Sequence, residues 1–205
     1  LLLSFSYEAE KIVLQKKDNV LNFSFPLGGT LREAQWKLTA GKMTLTISPN
    51  AEILSLIFEE GFEFSLMEYT LKGVAGIMEK NRISGKGASV HLNEWKLDCS
   101  QWEADISTSS LTFSEAYIRN DIGFFSAEKI EITGDLWKWT KPSFSLPEGI
   151  LAGENALQNP REQKILIRNW SFSSSAGEMK GETVTLLLNE KILHIEGMLE
   201  VRWKK

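Results

Sequence analysis

The residues with the chemical type for catalysis or metal binding are few in this sequence, and their neighbours give each of them another role. The two histidines, His91 and His194, each fall inside an alternating stretch, out of phase with apolar neighbours Val90 and Leu92 or Leu193 and Ile195. That placement reads as a strand residue with its ring toward solvent rather than a general base or a metal ligand. Cys99 is the single cysteine, so neither an intrachain disulfide nor a multi-thiolate zinc site can be built, and packing is its expected role. Glu59 with Glu60, and Glu103 with Asp105, have the composition of acid/base pairs, yet carboxylates on the wet side of a strand are ordinary solubilising residues. No H-E-x-x-H, G-x-S-x-G or P-loop pattern occurs. Gly85–Ser89 (GKGAS) opens a strand, whereas a phosphate cradle leads into a helix N-terminus. The expectation is therefore no catalytic residue, no metal and no cofactor.

Composition narrows the class further. A chain of 205 residues with 42% hydrophobic and 24% charged residues can bury a core, which argues against disorder. The net charge of −4 comes from interspersed signs, with no basic block to follow a nucleic-acid backbone. The opening LLLSFS reads either as the tail of a signal-peptide core or membrane anchor, or as a first strand. No later apolar run reaches the roughly 20 residues of a helical span.

Period two runs through almost every segment, so the elements that must position these residues are strands. Met43, Leu45 and Ile47 alternate with Thr44 and Thr46. Ile130 and Ile132, then Val184, Leu186 and Leu188, and finally Leu199, Val201 and Trp203 repeat the pattern between polar neighbours. Gly, Asn, Asp and Ser collect between the runs, as turns of antiparallel hairpins require. Asn50–Glu60 (NAEILSLIFEE) fits a helical stripe as well as a strand, and its strand flanks favour strand. Residues 142–163, with Pro142, Pro147, Pro160, Gly149 and Gly153, read as a long loop, with room for one helical turn around Glu154–Leu157, within a single domain spanning residues 1–205. Five of the seven tryptophans, Trp95, Trp102, Trp137, Trp139 and Trp170, fall near expected strand ends. A carbohydrate platform or an interfacial belt would use such rings, and core packing is the commoner cause.

One short phrase recurs: AEKIVL at Ala9–Leu14 and AEKIEI at Ala127–Ile132, with looser copies GASVHL at Gly87–Leu92 and GETVTLLL at Gly181–Leu188. Each copy is a small residue followed by polar and apolar positions in alternation, and each is expected to mark the edge of a strand in one repetitive sheet. On these residues the sequence resembles the OstA-like repeats of periplasmic lipopolysaccharide-transport proteins of the LptA and LptC type. The matching positions are Gly181, Val184, Leu186, Leu193, Ile195, Gly197, Leu199 and Val201, with Ala127, Ile130, Ile132 and Gly134 as a second copy. A weaker resemblance is to the AsmA-like repeats of envelope lipid-transport proteins.

The resemblance implies an all-β fold with little helix, a repetitive antiparallel sheet curled into an open jellyroll or V-shaped groove. It also implies a non-catalytic role in the periplasm or cell envelope of a diderm bacterium. The ligand would be lipopolysaccharide or another acylated lipid held in an apolar groove, and the partners β-rich envelope transport proteins joined by edge-strand pairing. The strand phases assign Leu92, Leu97, Ile106, Phe113, Ile130, Ile132, Val184 and Leu186 to one apolar interior, the expected lipid-binding set. The last strand, with Glu200, Val201, Arg202 and Trp203, has no later segment to cover it and is the expected partner edge; Arg202, Lys204 and Lys205 fit equally a charge-defended edge. The alternative from another class is a structural or adhesive β-solenoid or jellyroll with a filled core and no lipid.

Overall fold

The computed structural model describes residues 6–17, 20–50, 52–66, 68–92, 95–119, 123–188, 190 and 192–203; the opening residues 1–5 and the closing Lys204 and Lys205 lie outside the described residues. The chain divides into two compact units, Leu1–Leu92 with Cys99–Ser110, and Asn93–Asp98 with Leu111–Lys205. Both are all-β and antiparallel. The one helical element among the described residues is a single 3-10 turn at Pro160–Glu162.

The first unit begins with β1 (Ser6–Glu8), β2 (Val13–Lys17), β3 (Val20–Phe25), β4 (Gly29–Arg32) and β5 (Trp36–Ile47). It continues with β6 (Ile53–Leu66), β7 (Tyr69–Glu79), β8 (Arg82–Leu92) and part of β9 (Trp95–Asp105). Asn50–Glu60, the stretch with two readings, contributes to β6. Strand wins because Leu56 and Phe58 are buried against Leu45 and Met43 of β5, while Ile57 between them is exposed. Buried rows cross the sheet at right angles to the strands. One runs Leu31, Leu38, Phe64, Leu71, Val90 through β4 to β8.

The second unit contains β10 (Ser110–Arg119) from Leu111 onward, β11 (Phe124–Thr133), β12 (Leu136–Thr140) and β13 (Ser143–Leu146). After these come β14 (Gly149–Ala152), β15 (Asn155–Asn159), β16 (Lys164–Ser173), β17 (Gly177–Leu187) and β18 (Ile192–Trp203). The long loop expected over residues 142–163 is thus three short strands and a turn. β12 and β13 both pair with β11, forming one rung interrupted at Lys141–Pro142. β14 and β15 both pair with β16, a second rung interrupted at Gly153–Glu154. Pro142 and Gly153 therefore mark a bend within two strands instead of the absence of strand.

That bend continues from rung to rung. Across the second unit it passes Ala127–Glu128, Lys141–Pro142, Gly153–Glu154, Asn169, Glu182 and Gly197. Residues on either side of these positions keep one register from β11 to β17, the pairing of β17 with β18 shifts by one residue there, and Asn169 and Gly197 take positive φ of 49° and 93°. The first unit has its own crease: Ala9–Ile12 between β1 and β2, Pro26–Gly28 between β3 and β4, Gly41, Glu60 with Gly61, Val74, and Gly87. A Cβ on Gly28, at φ 76°, would come within 2.4 Å of the Ala40 carbonyl oxygen.

The recurring phrase finds its physical meaning in these creases. Ala9–Ile12 and Ala127–Ile130 are both AEKI, and both lie on a crease. Gly181–Val184 (GETV) lies opposite the bulge of β18, where Gly197 and Met198 face the single residue Glu182. In the copies at Ala127 and Gly181 the first polar residue, Glu128 or Glu182, is exposed and the apolar residue, Ile130 or Val184, is buried, whereas Ile12 of the first copy is exposed. The phrase marks a bend within a rung; the first copy lies at the ends of β1 and β2, as expected, whereas the copies at Gly87, Ala127 and Gly181 lie inside β8, β11 and β17 and not at a strand edge.

Candidate functional site

The second unit presents a continuous apolar inner face built from cross-strand partners. On one side of the crease two rows run side by side. The first is Ile130, Trp139, Ala156, Ile167, Val184, Ile195, and the second is Ile132, Trp137, Gln158, Ile165, Leu186, Leu193. On the other side a third row runs Phe125, Phe144, Leu151, Phe172, Met179, Val201. Each row begins buried on β11 and ends on β18, where Ile195 and Leu193 are half-buried and Val201 is exposed. Leu199, opposite Gly181, is 45% exposed and Met198 is 81% exposed. The apolar face is sealed at one end of the unit and open to solvent at β18.

Aromatic rings fill much of the sealed end. Trp95 lies 5.7 Å from Phe125 and 6.3 Å from Trp137, and Phe144 lies 5.1 Å from Phe125 and 5.7 Å from Trp139 between ring centroids. Trp102 in the first unit packs on Phe62 and Phe64. The five tryptophans near the expected strand ends are all buried, so they pack interiors and form no surface platform. Glycines inside strands make room for such rings. Gly181 lies under the Trp170 indole, and Gly73 under Phe62. The alternating pattern gave no hint of this use of glycine.

The expected lipid-binding residues divide between the units. Leu97, Phe113, Ile130, Ile132, Val184 and Leu186 belong to the second and are buried; of these, Ile130, Ile132, Val184 and Leu186 share the rows above. Ile106 belongs to the first unit and is buried in the turn after β9, its N–H donating to the Asn81 carbonyl. Leu92 ends β8 in the first unit, with its side chain outside the described residues. Sequence reasoning missed Trp137, Trp139, Ala156, Gln158, Ile165 and Ile167, which occupy the middle of the two parallel rows. Their cross-strand partners are the signal that identifies them.

At the expected partner edge, Glu200, Val201 and Arg202 are exposed on β18 and pair with Lys180, Met179 and Glu178. The Trp203 side chain lies outside the described residues. Glu200 accepts from the Arg202 guanidinium at 2.7–2.8 Å along the same strand, a surface pair of small energetic weight.

The polar candidates do not converge. His91 and His194 are exposed. Glu59 pairs with Lys42 at 3.3 Å, and Glu103 with Arg82 at 3.7 Å, both at the surface. Asp105 caps its own turn: it accepts from the Ser107 hydroxyl and from the backbone N–H groups of Ser107 and Thr108. The Ser107 hydroxyl is the largest cause holding its carboxyl below the ordinary value; burial, the second largest, opposes it, and the Thr108 and Ser107 N–H groups and Arg82 each add a smaller lowering. Lys141 is raised by its bond and ion pair with Glu128 at 2.6 Å, a contact that crosses the crease on the outside. Among the described residues no group of three or more His, Cys, Asp or Glu side chains is placed to hold a metal ion. No helix among them is long and apolar enough to cross a membrane.

No family model matches this chain, and no curated protein does. Among solved structures it is similar to LptH, the LptA-homologous periplasmic component of the lipopolysaccharide transport device of Pseudomonas aeruginosa. The identity is 15%, with 63% of this chain and 75% of that chain covered, and the TM-score is 0.26.

Proposed function

We propose that this chain is a non-catalytic lipid-binding protein of the bacterial periplasm or cell envelope. It holds the acyl chains of lipopolysaccharide or a similar lipid against its apolar inner face and passes them to a β-rich partner. The carrying observation is the course of the three inner rows of the second unit, from a buried end to solvent-exposed apolar residues on β18. An acyl chain entering at β18 gains about 0.8 kcal/mol for each methylene buried, with no demand on its head group. The two units together then act as one OstA-like element over residues 1–205, and β18 around Glu200, Val201, Arg202 and Trp203 is where a partner sheet adds a strand.

The test is a fatty acid carrying a photoactivatable diazirine at its chain end. Labelling at inward Met179, Leu199 and Val201, with outward Lys180 and Glu200 spared, supports the reading. Equal labelling of both faces, or none, overturns it.

A second reading has its own observation. The ring contacts from Trp95 through Phe144 to Trp139 occupy the sealed end with the protein's own side chains, as a structural β protein with a filled core would. Under that reading the protein takes up no lipid, and acyl chains leave its thermal stability unchanged.

A further inference from the structure

Within the apolar interior of the second unit lies one place of a different character. Gln158 is the single buried polar or charged side chain among the described residues, 1% exposed, and stands in β15 between Trp137 of β12 and Ile165 of β16. Neither its Oε1 nor its Nε2 has a hydrogen-bond partner, and the same holds for the indole Nε1 of Trp137 and of Trp139. The two indoles are 6.4 Å apart between ring centroids. Trp137 is the direct cross-strand partner of Gln158, at the spacing where side chains on one face touch.

An amide buried without partners costs roughly 1–3 kcal/mol per unsatisfied group, and an apolar side chain of similar shape would avoid that cost. Buried polar groups in folded proteins are nearly always satisfied by something. We infer that the Gln158 amide and the neighbouring Trp137 and Trp139 N–H groups form a polar subsite that takes a hydrogen-bonding group carried on the acyl chain of the ligand. This rests on the acyl-binding reading above and adds to it a specificity determinant.

The donor and acceptor inventory fixes the class of group. Gln158 Nε2 and the two indoles are donors and require an acceptor; Gln158 Oε1 is an acceptor and requires a donor. A bare methylene chain satisfies none of them, and an ester carbonyl, acceptor only, leaves Oε1 unpaired. A hydroxyl on the chain, or a secondary amide, supplies both. The subsite therefore favours hydroxylated or amide-linked acyl chains over plain ones, in a face that otherwise reads only length and shape.

The experiment compares dodecanoic acid with 3-hydroxydodecanoic acid by isothermal titration calorimetry, on the wild-type chain and on Gln158→Met, with Gln158→Leu as a second apolar replacement should the first misfold. The wild type is expected to prefer the hydroxy acid by about tenfold, the worth of one to two net hydrogen bonds. In the variants the ratio of the two affinities falls to near unity. The urea midpoint stays level or rises, since an unpaired amide has been removed. Equal binding of both acids by the wild type leaves the acyl-binding reading standing and overturns the subsite, with bound water then the partner of Gln158. A preference that survives in the variants overturns it too. Failure of the wild type to bind either acid overturns the acyl-binding reading and the subsite with it.

Discussion

Replacing Gly181 with alanine tests whether the interior is packed as described. The added methyl group would stand 2.8 Å from Trp170 Nε1 and 3.0 Å from Cε2 and Cζ2, against ordinary contacts of 3.4–4 Å. The indole would have to move by about half an ångström, and Trp170 is 2% exposed, so the displacement must pass into its neighbours. Overpacking of this kind costs about 1–3 kcal/mol. The loss of chain entropy in the unfolded state returns about 0.4–1 kcal/mol. The net expectation is a destabilisation of about 1–2 kcal/mol, or a fall in melting temperature of roughly 2–8 °C for a chain of this size. Urea unfolding followed by tryptophan fluorescence measures it. A double-mutant cycle with Trp170→Leu isolates the clash: Gly181→Ala should cost about 1 kcal/mol less in the Trp170→Leu background than in the wild type. A Gly181→Ala variant as stable as the wild type, or equal costs in the two backgrounds, would refute the packing argument.

Three further outcomes follow from the same structure. Ile132→Asp places a carboxylate opposite Trp137 at the buried end of its row, and the loss should exceed about 4 kcal/mol; a soluble variant with an unchanged circular dichroism spectrum and melting temperature would contradict the row. Asp105 has a folded-state pKa below its unfolded value, so its contribution is present above pH about 3.9 and is lost as pH falls through the folded value; Asp105→Asn should flatten the acid limb of the stability profile, and an unchanged limb would show that the turn contributes nothing there. Photo-crosslinkers at Glu200 and Arg202 in cells should capture a β-rich envelope protein or a second copy of this chain, whereas silence at both positions with lipid still bound would place the handover elsewhere.

The strand content was legible because one face of most rungs is buried. Met43, Leu45 and Ile47 alternate cleanly because Thr44 and Thr46 point the other way. The same holds for Ile130 and Ile132. Residues 142–163 were misread because Pro142 and Gly153, which break a flat strand, are what a creased rung uses at its bend. Asn155–Asn159 (NALQN) hides its phase as well: the buried positions are Ala156 and Gln158, and the most hydrophobic residue, Leu157, is only half-buried. A period-two reading based on hydrophobicity assigns that strand the wrong face, and this is why Gln158 escaped notice. Exposure was legible for His91 and His194, whose neighbours are apolar in alternation. The tryptophans gave no such guide, since a ring lying over a glycine of the next strand leaves no local pattern.

The central claim, that the inner face holds acyl chains, is tested most directly by native mass spectrometry of the protein purified without detergent from a lipopolysaccharide-producing host. The account predicts a population of higher mass, each increment matching an acylated lipid and released by collisional activation, and predicts that the population shrinks when Val184→Asp is introduced. A single species at the mass of the bare polypeptide, from protein shown to be folded, would contradict it and leave the filled-core reading in its place.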